Sequence, residues 1–115
     1  GPCPYENSPL GCPGAGVYHG SDATIAAVGP ERYRDWPCGQ RLTVCALMDG
    51  GGAIYGGLAE ANDLRELRDV PCISVVRVDS CPGCVGDNID LSESGIIYLC
   101  GYPCDRIEVM IEVLH

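Results

Sequence analysis

The chain has 115 residues, 16 acidic against 7 basic side chains and a net charge of −9 at neutral pH. That balance argues against nucleic acid and anionic membrane, both of which need basic patches, and favours a basic partner or a neutral polysaccharide. The length fits one domain with a modest core that needs extra staples, and no apolar run approaches the ~20 residues of a membrane span.

Nine cysteines supply the staples. Such density in a short chain reads as a disulfide scaffold made in an oxidising compartment, and the odd number leaves one thiol over, pairs it between chains, or means that it has lost its partner. Gly1-Pro2 reads as the scar of a protease-cleaved tag, so a secretion signal is expected to have been removed. Fold reasoning begins at Cys3, and residues 3–115 are expected to form a single domain.

Residues 3–20 are rich in Gly, Pro, Asn and Ser and read as an irregular, disulfide-pinned arm. Thr24 to Val28 is a short apolar run closed by Gly29-Pro30, which fits a buried strand. Glu31 to Trp36 fits a helical turn. Arg41 to Leu47 alternates, with Leu42, Val44 and Ala46 on one face and Thr43, Cys45 and Leu47 on the other, and reads as a strand. Residues 49–57 form a Gly-rich loop without the spacing of a dinucleotide or phosphate cradle. Leu58, Ala61, Leu64 and Leu67 recur at helical spacing until Pro71. Ile73 to Asp79 reads as a strand. Asp90-Leu91-Ser92-Glu93 opens a second short helix, with Asp90 or Ser92 as its N-cap. Arg106 to Leu114 alternates most clearly, with Ile107, Val109, Ile111 and Val113 on one face. Short strands with little helix predict a mainly β, barrel-like fold.

Cys81-x2-Cys84 and Cys100-x3-Cys104 approach zinc-ribbon spacing. Five further cysteines and the oxidising-compartment composition favour disulfides, so no metal and no cofactor are expected. A redox role for Cys81-Pro82-Gly83-Cys84 has little support, because the motif follows a strand instead of opening a helix, where a thiolate would be stabilised.

Taken in order, Thr24-Ile25-Ala26-Ala27-Val28, Cys38-Gly39-Gln40-Arg41-Leu42-Thr43-Val44-Cys45, Pro71-Cys72, Val78-Asp79-Ser80-Cys81-Pro82-Gly83-Cys84 and Ile89-Asp90-Leu91-Ser92 resemble the secreted double-psi β-barrels. That group includes plant natriuretic peptides and their microbial effector relatives, barwin, expansin N-terminal domains and family 45 glycoside hydrolases. The resemblance covers roughly residues 12 to 114 and lies closest to the natriuretic-peptide-like effectors. It implies a six-stranded, disulfide-stapled double-psi β-barrel with one or two short helices, and bridges Cys12–Cys38 and Cys45–Cys72. Cys81–Cys84 and Cys100–Cys104 are then the local pairs, which leaves Cys3 over. The 49–70 segment is longer than the usual loop of the group and counts as an insertion. The second, carbohydrate-binding domain of expansins is not expected.

In family 45 hydrolases and expansins the aspartate of the Asp-Leu-Ser element lies in a polysaccharide groove as the general acid or its counterpart. Asp90 matches that position, and Asp79 matches the second acidic position of expansin-like domains. Hydrolysis needs an acid for the leaving oxygen and a base for water, and an acid working near neutral pH needs a raised pKa. The bland readings are an N-cap role for Asp90 and backbone hydrogen bonding by Asp79. Among six tyrosines and one tryptophan, Tyr18 matches one wall of the family's groove and is the candidate sugar platform. Trp36 is expected to pack over a disulfide, and His19 has no evident partner.

The expectation that follows is a secreted, non-catalytic, expansin-like protein. It would act in the plant apoplast as an effector, serving virulence, or as a defence protein, and bind cell-wall glycan through Tyr18, Asp79 and Asp90, or an extracellular host protein. The alternatives are a glycoside hydrolase or lytic transglycosylase with Asp90 as general acid and Asp79 assisting, and a secreted protease inhibitor.

Overall fold

The computed structural model describes residues 6–46 and 71–114. The Gly-rich loop at 49–57, the helix expected from Leu58, the insertion as a whole and Cys3 lie outside the described residues.

Five strands form one curled, mixed sheet among the described residues, where the resemblance implies six strands in a closed double-psi barrel. They are β1 (Ile25–Val28), β2 (Arg41–Ala46), β3 (Cys72–Ser80), β4 (Ile89–Leu91) and β5 (Val109–Leu114), in the spatial order β4-β1-β3-β2-β5. A 3-10 turn spans Pro30–Arg32, and helix α1 spans Glu93–Cys100. The fold is mainly β, as the alternation of short apolar runs predicts. The β1–β3 pair is parallel, and the other three pairs are antiparallel.

Period-two alternation sorts the side chains. Ala26 and Val28 from β1, Leu42, Val44 and Ala46 from β2, and Val75 from β3 bury one face, and Val109, Ile111 and Val113 of β5 pack against it. Leu99 of α1, 1% exposed, enters the same core. Helix α1 starts where Ser92 Oγ accepts from Gly95 N–H at 3.2 Å, and it ends at Gly101, whose φ of 83° only glycine adopts without cost.

The β1–β3 register slips between Ala26 and Ala27: Ala26 pairs with Arg77, but Ala27 pairs with Asp79. Val78 is thus a β-bulge. Residues two apart in a regular strand share a face; the bulge breaks that rule, so Arg77 turns inward and Asp79 outward. Arg77 is 6% exposed. Its guanidinium donates to the carbonyls of Trp36 (3.0 Å), Asp79 (3.2 Å) and Tyr33 (3.4 Å) and to Ser80 Oγ (2.9 Å), and it stacks on the Tyr33 ring at 5.0 Å. A buried charge with this many acceptors is a structural lock, since removing them would strand it.

Four disulfides join Cys12–Cys38, Cys45–Cys72, Cys81–Cys84 and Cys100–Cys104. The eight cysteines pair as the resemblance and the local spacing imply, and the thiols that could have formed a zinc ribbon are consumed in bridges. Trp36 is a core residue beneath the Arg32 guanidinium, which lies 5.2 Å from its ring. No helix among the described residues is long and apolar enough to cross a membrane.

Candidate functional site

The outer face of the sheet carries the two aspartates singled out in the sequence. Asp79 on β3 and Asp90 on β4 are both in register with Ala27 on β1, the strand between them. The three residues form one row across three strands, with the aspartate Cα atoms about 10 Å apart by two strand spacings.

The aspartates differ in what they touch. One oxygen of Asp79, Oδ1, accepts from Gly11 N–H at 2.7 Å and from Ser80 N–H at 2.9 Å. A Cβ at Gly11 would lie 2.7 Å from the same oxygen, so any larger residue there would require the Asp79 carboxylate to shift. Asp90 is exposed, and no hydrogen bond to its carboxylate occurs among the described residues. The protein mass around it strips part of its hydration, and the Asp79 charge adds to the effect, so its carboxyl is held above the ordinary value of 3.8. Asp90 does not cap α1: that role belongs to Ser92, and Asp90 lies on a strand the sequence pattern did not reveal.

The arm forms a wall beside this row. Residues 7–10 run antiparallel to 16–18, held by Asn7 N–H to Tyr18 O (2.8 Å), Tyr18 N–H to Ser8 O (2.8 Å) and Leu10 N–H to Gly16 O (2.9 Å), with a bridge between Pro9 and Val17. Its tip is fixed to β3 by Gly11 on Asp79 and by Cys12 N–H on Val78 O (2.9 Å), and the Cys12–Cys38 bridge ties it to the segment that leads into β2. Its base is fixed to α1, where Ser94 N–H donates to Gly20 O (2.9 Å) and Glu93 N–H donates to Tyr18 Oη (3.2 Å). Tyr18 therefore stands at the start of α1, three residues past Asp90, with its hydroxyl engaged and its side chain half-buried.

Glu6 completes the base. It accepts from Gly20 N–H at 2.9 Å and bonds His19 Nδ1 at 2.7 Å. The Gly20 amide, and then His19, hold its carboxyl below the usual 4.5. His19 thus has a partner that the sequence could not name, because nothing in the spacing of Glu6 and His19 signals a hairpin between them.

Among the described residues, no group of three or more His, Cys, Asp or Glu side chains is placed to hold a metal ion. An open depression lined by Pro30, Glu31, Tyr33, Arg34 and Asp35 contains none of the predicted site residues. Comparison with protein-family models, with curated proteins and with solved structures finds no match.

Proposed function

We propose that the chain is a secreted double-psi β-barrel of the natriuretic-peptide and expansin type it resembles. In this reading it works without catalysis, as a binding module between cells, with the Asp79–Ala27–Asp90 row as its ligand face. The observation that carries the reading is the unequal commitment of the two acids. Asp79 is bound to two backbone donors and acts as a fixture of the arm. A hydrolase that needs acid and base together would have only Asp90 at liberty. An exposed acid beside a fixed wall bearing Tyr18 is enough to accept hydrogen bonds from the hydroxyls of a neutral cell-wall glycan. Four bridges in a small domain fit an extracellular setting. The parallel β1–β3 pair within an otherwise antiparallel sheet is in keeping with a psi-type crossing. An effector or defence role at the plant–microbe boundary follows from the resemblance alone.

The test is co-sedimentation with insoluble cellulose, chitin and xylan, together with affinity electrophoresis in xyloglucan, for the wild type and Asp90→Ala. Retention that the substitution weakens supports the reading; retention that it leaves intact puts the ligand elsewhere.

One observation favours a second reading, glycoside cleavage with Asp90 as acid: its raised pKa, beside an ionisable neighbour, is the pattern of an acid partner. Soluble product from any of these polysaccharides, absent with Asp90→Asn, would establish it.

A further inference from the structure

The segment that follows β1 lines an open depression of about 700 Å³ with Pro30, Glu31, Tyr33, Arg34 and Asp35. Most of this lining is fixed. One oxygen of Glu31 accepts from Gly86 N–H at 2.9 Å, and one oxygen of Asp35 accepts from Arg32 at 3.0 Å. Arg32 is held in turn by Asp87 and lies over the Trp36 ring. Tyr33 packs against the core, with the Arg77 guanidinium 5.0 Å from its ring. Arg34 is the exception: it is exposed, and no hydrogen bond or ion pair to its side chain occurs among the described residues. The second carboxylate oxygens of Glu31 and Asp35 and the Tyr33 hydroxyl have no hydrogen-bond partner there either.

We propose that this depression is a binding site for a neutral saccharide. The local charges select the class. Glu31 and Asp35 disfavour an anion, Arg34 disfavours a cation, and sugar hydroxyls can accept from the guanidinium and donate to the open carboxylate oxygens. Pro30 and Tyr33 supply the apolar surface that ligand sites combine with a few placed polar groups, and the volume falls in their usual range of roughly 300–1,000 Å³. The fixed groups need little ordering on binding, so the Arg34 side chain is the main one to give up freedom. None of these residues belongs to the arm or the aspartate row. The site therefore goes beyond the ligand face proposed above and stands or falls apart from it.

The experiment is an NMR titration of the intact, oxidised protein, following backbone amides. The probes are cellohexaose, xylohexaose and chitohexaose, with hexagalacturonate and hexaglucosamine as anionic and cationic counterparts. Saturable shifts centred on residues 30–36 are expected with at least one neutral sugar and with neither charged one. Arg34→Ala should weaken that binding roughly fivefold or more, the worth of a lost hydrogen bond. Because Arg34 has no partner in the fold, the variant should melt like the wild type. Asp90→Ala should leave the shifts at 30–36 unchanged, whatever it does to binding at the row. Three results would overturn the proposal: no saturable shift at 30–36 with any neutral sugar, equal or tighter binding of a charged one there, or an Arg34→Ala variant that binds like the wild type. Shifts confined to Tyr18, Asp79 and Asp90 would overturn it too, while leaving the ligand face standing.

Discussion

Asp79 and Asp90 stand on either side of Ala27, in one row and on one face of the sheet, and only Asp79 is held by backbone donors. The charge of Asp79 helps hold Asp90 in its protonated form to a higher pH than an isolated aspartate. Asp79→Asn should therefore bring the Asp90 carboxyl down toward its ordinary value, as read by side-chain carboxyl chemical shifts against pH. An unchanged Asp90 titration would mean that desolvation acts alone.

The same shift has a stability consequence. A carboxyl whose folded pKa lies above its unfolded value favours the folded state below the unfolded pKa, and that advantage is lost as pH rises through the folded value. At neutral pH the ionised Asp90 is thus a small burden. Asp90→Asn should raise stability at pH 7 by less than about 1 kcal/mol, the exposed setting keeping the figure low, with no gain at pH 3. Urea denaturation at the two pH values checks both parts.

The Asp79 contact with the arm should be costly to break. Gly11→Ala places a Cβ against Asp79 Oδ1, and Asp79→Ala deprives two backbone amides of their acceptor; each is expected to cost about 1–3 kcal/mol. Amide exchange should speed up at Gly11 and Ser80, while the β2–β3 amides stay protected. A more severe outcome is expected at Gly29→Ala, where the new Cβ would lie 2.3 Å from Cys84 O, backbone against side chain with no flexible group to yield. Poor folding yield or a large fall in Tm is the expected result.

The bridges should rank by the loops they close. Cys45–Cys72 joins residues 27 apart in sequence and Cys81–Cys84 residues 3 apart. Loop-closure entropy assigns about 3.5 kcal/mol to the first and about 1.6 kcal/mol to the second. Paired Cys→Ala variants, compared by chemical denaturation, should reproduce the order.

The base of the arm should be acid-sensitive. Glu6 is held below its usual 4.5 by Gly20 and His19, so its links persist above that value and are lost as pH falls through the lowered one. After correction for intrinsic rates, exchange at the Gly20 amide should accelerate between pH 5 and pH 3, and Glu6→Gln should abolish that step.

Much of the fold was legible in the sequence because burial imposes a period. Leu42, Val44 and Ala46 alternate into the core as expected, and Val109, Ile111 and Val113 pack against it half-buried, although Met110, on the face opposite to theirs, is the buried residue of β5. All four bridges join the expected partners. Strand β4 was not legible: three residues at a sheet edge show no alternation, and Asp90-Leu91-Ser92 reads equally well as the approach to a helix. Ser92 alone makes the capping bond, a matter of backbone angle that residue type does not reveal. The site was legible as a pair of acids but not as an unequal pair, since the Gly11 amide reaches Asp79 from 68 positions away. Glu6 as the partner of His19 escaped notice for the same reason: their meeting depends on a hairpin built from glycines and prolines.

The bulge at Val78 bears on how relatives of this chain should be recognised. A sequence one residue shorter at that point would pair regularly with β1 and would still turn its acid outward, because consecutive strand residues point to opposite faces. A sequence of the same length that paired without the bulge would instead put its acid on the face of Arg77, inside the core, and its outer face would carry Asp90 alone. An ungapped match at Asp79 is therefore insufficient ground for transferring a function from one chain to the other.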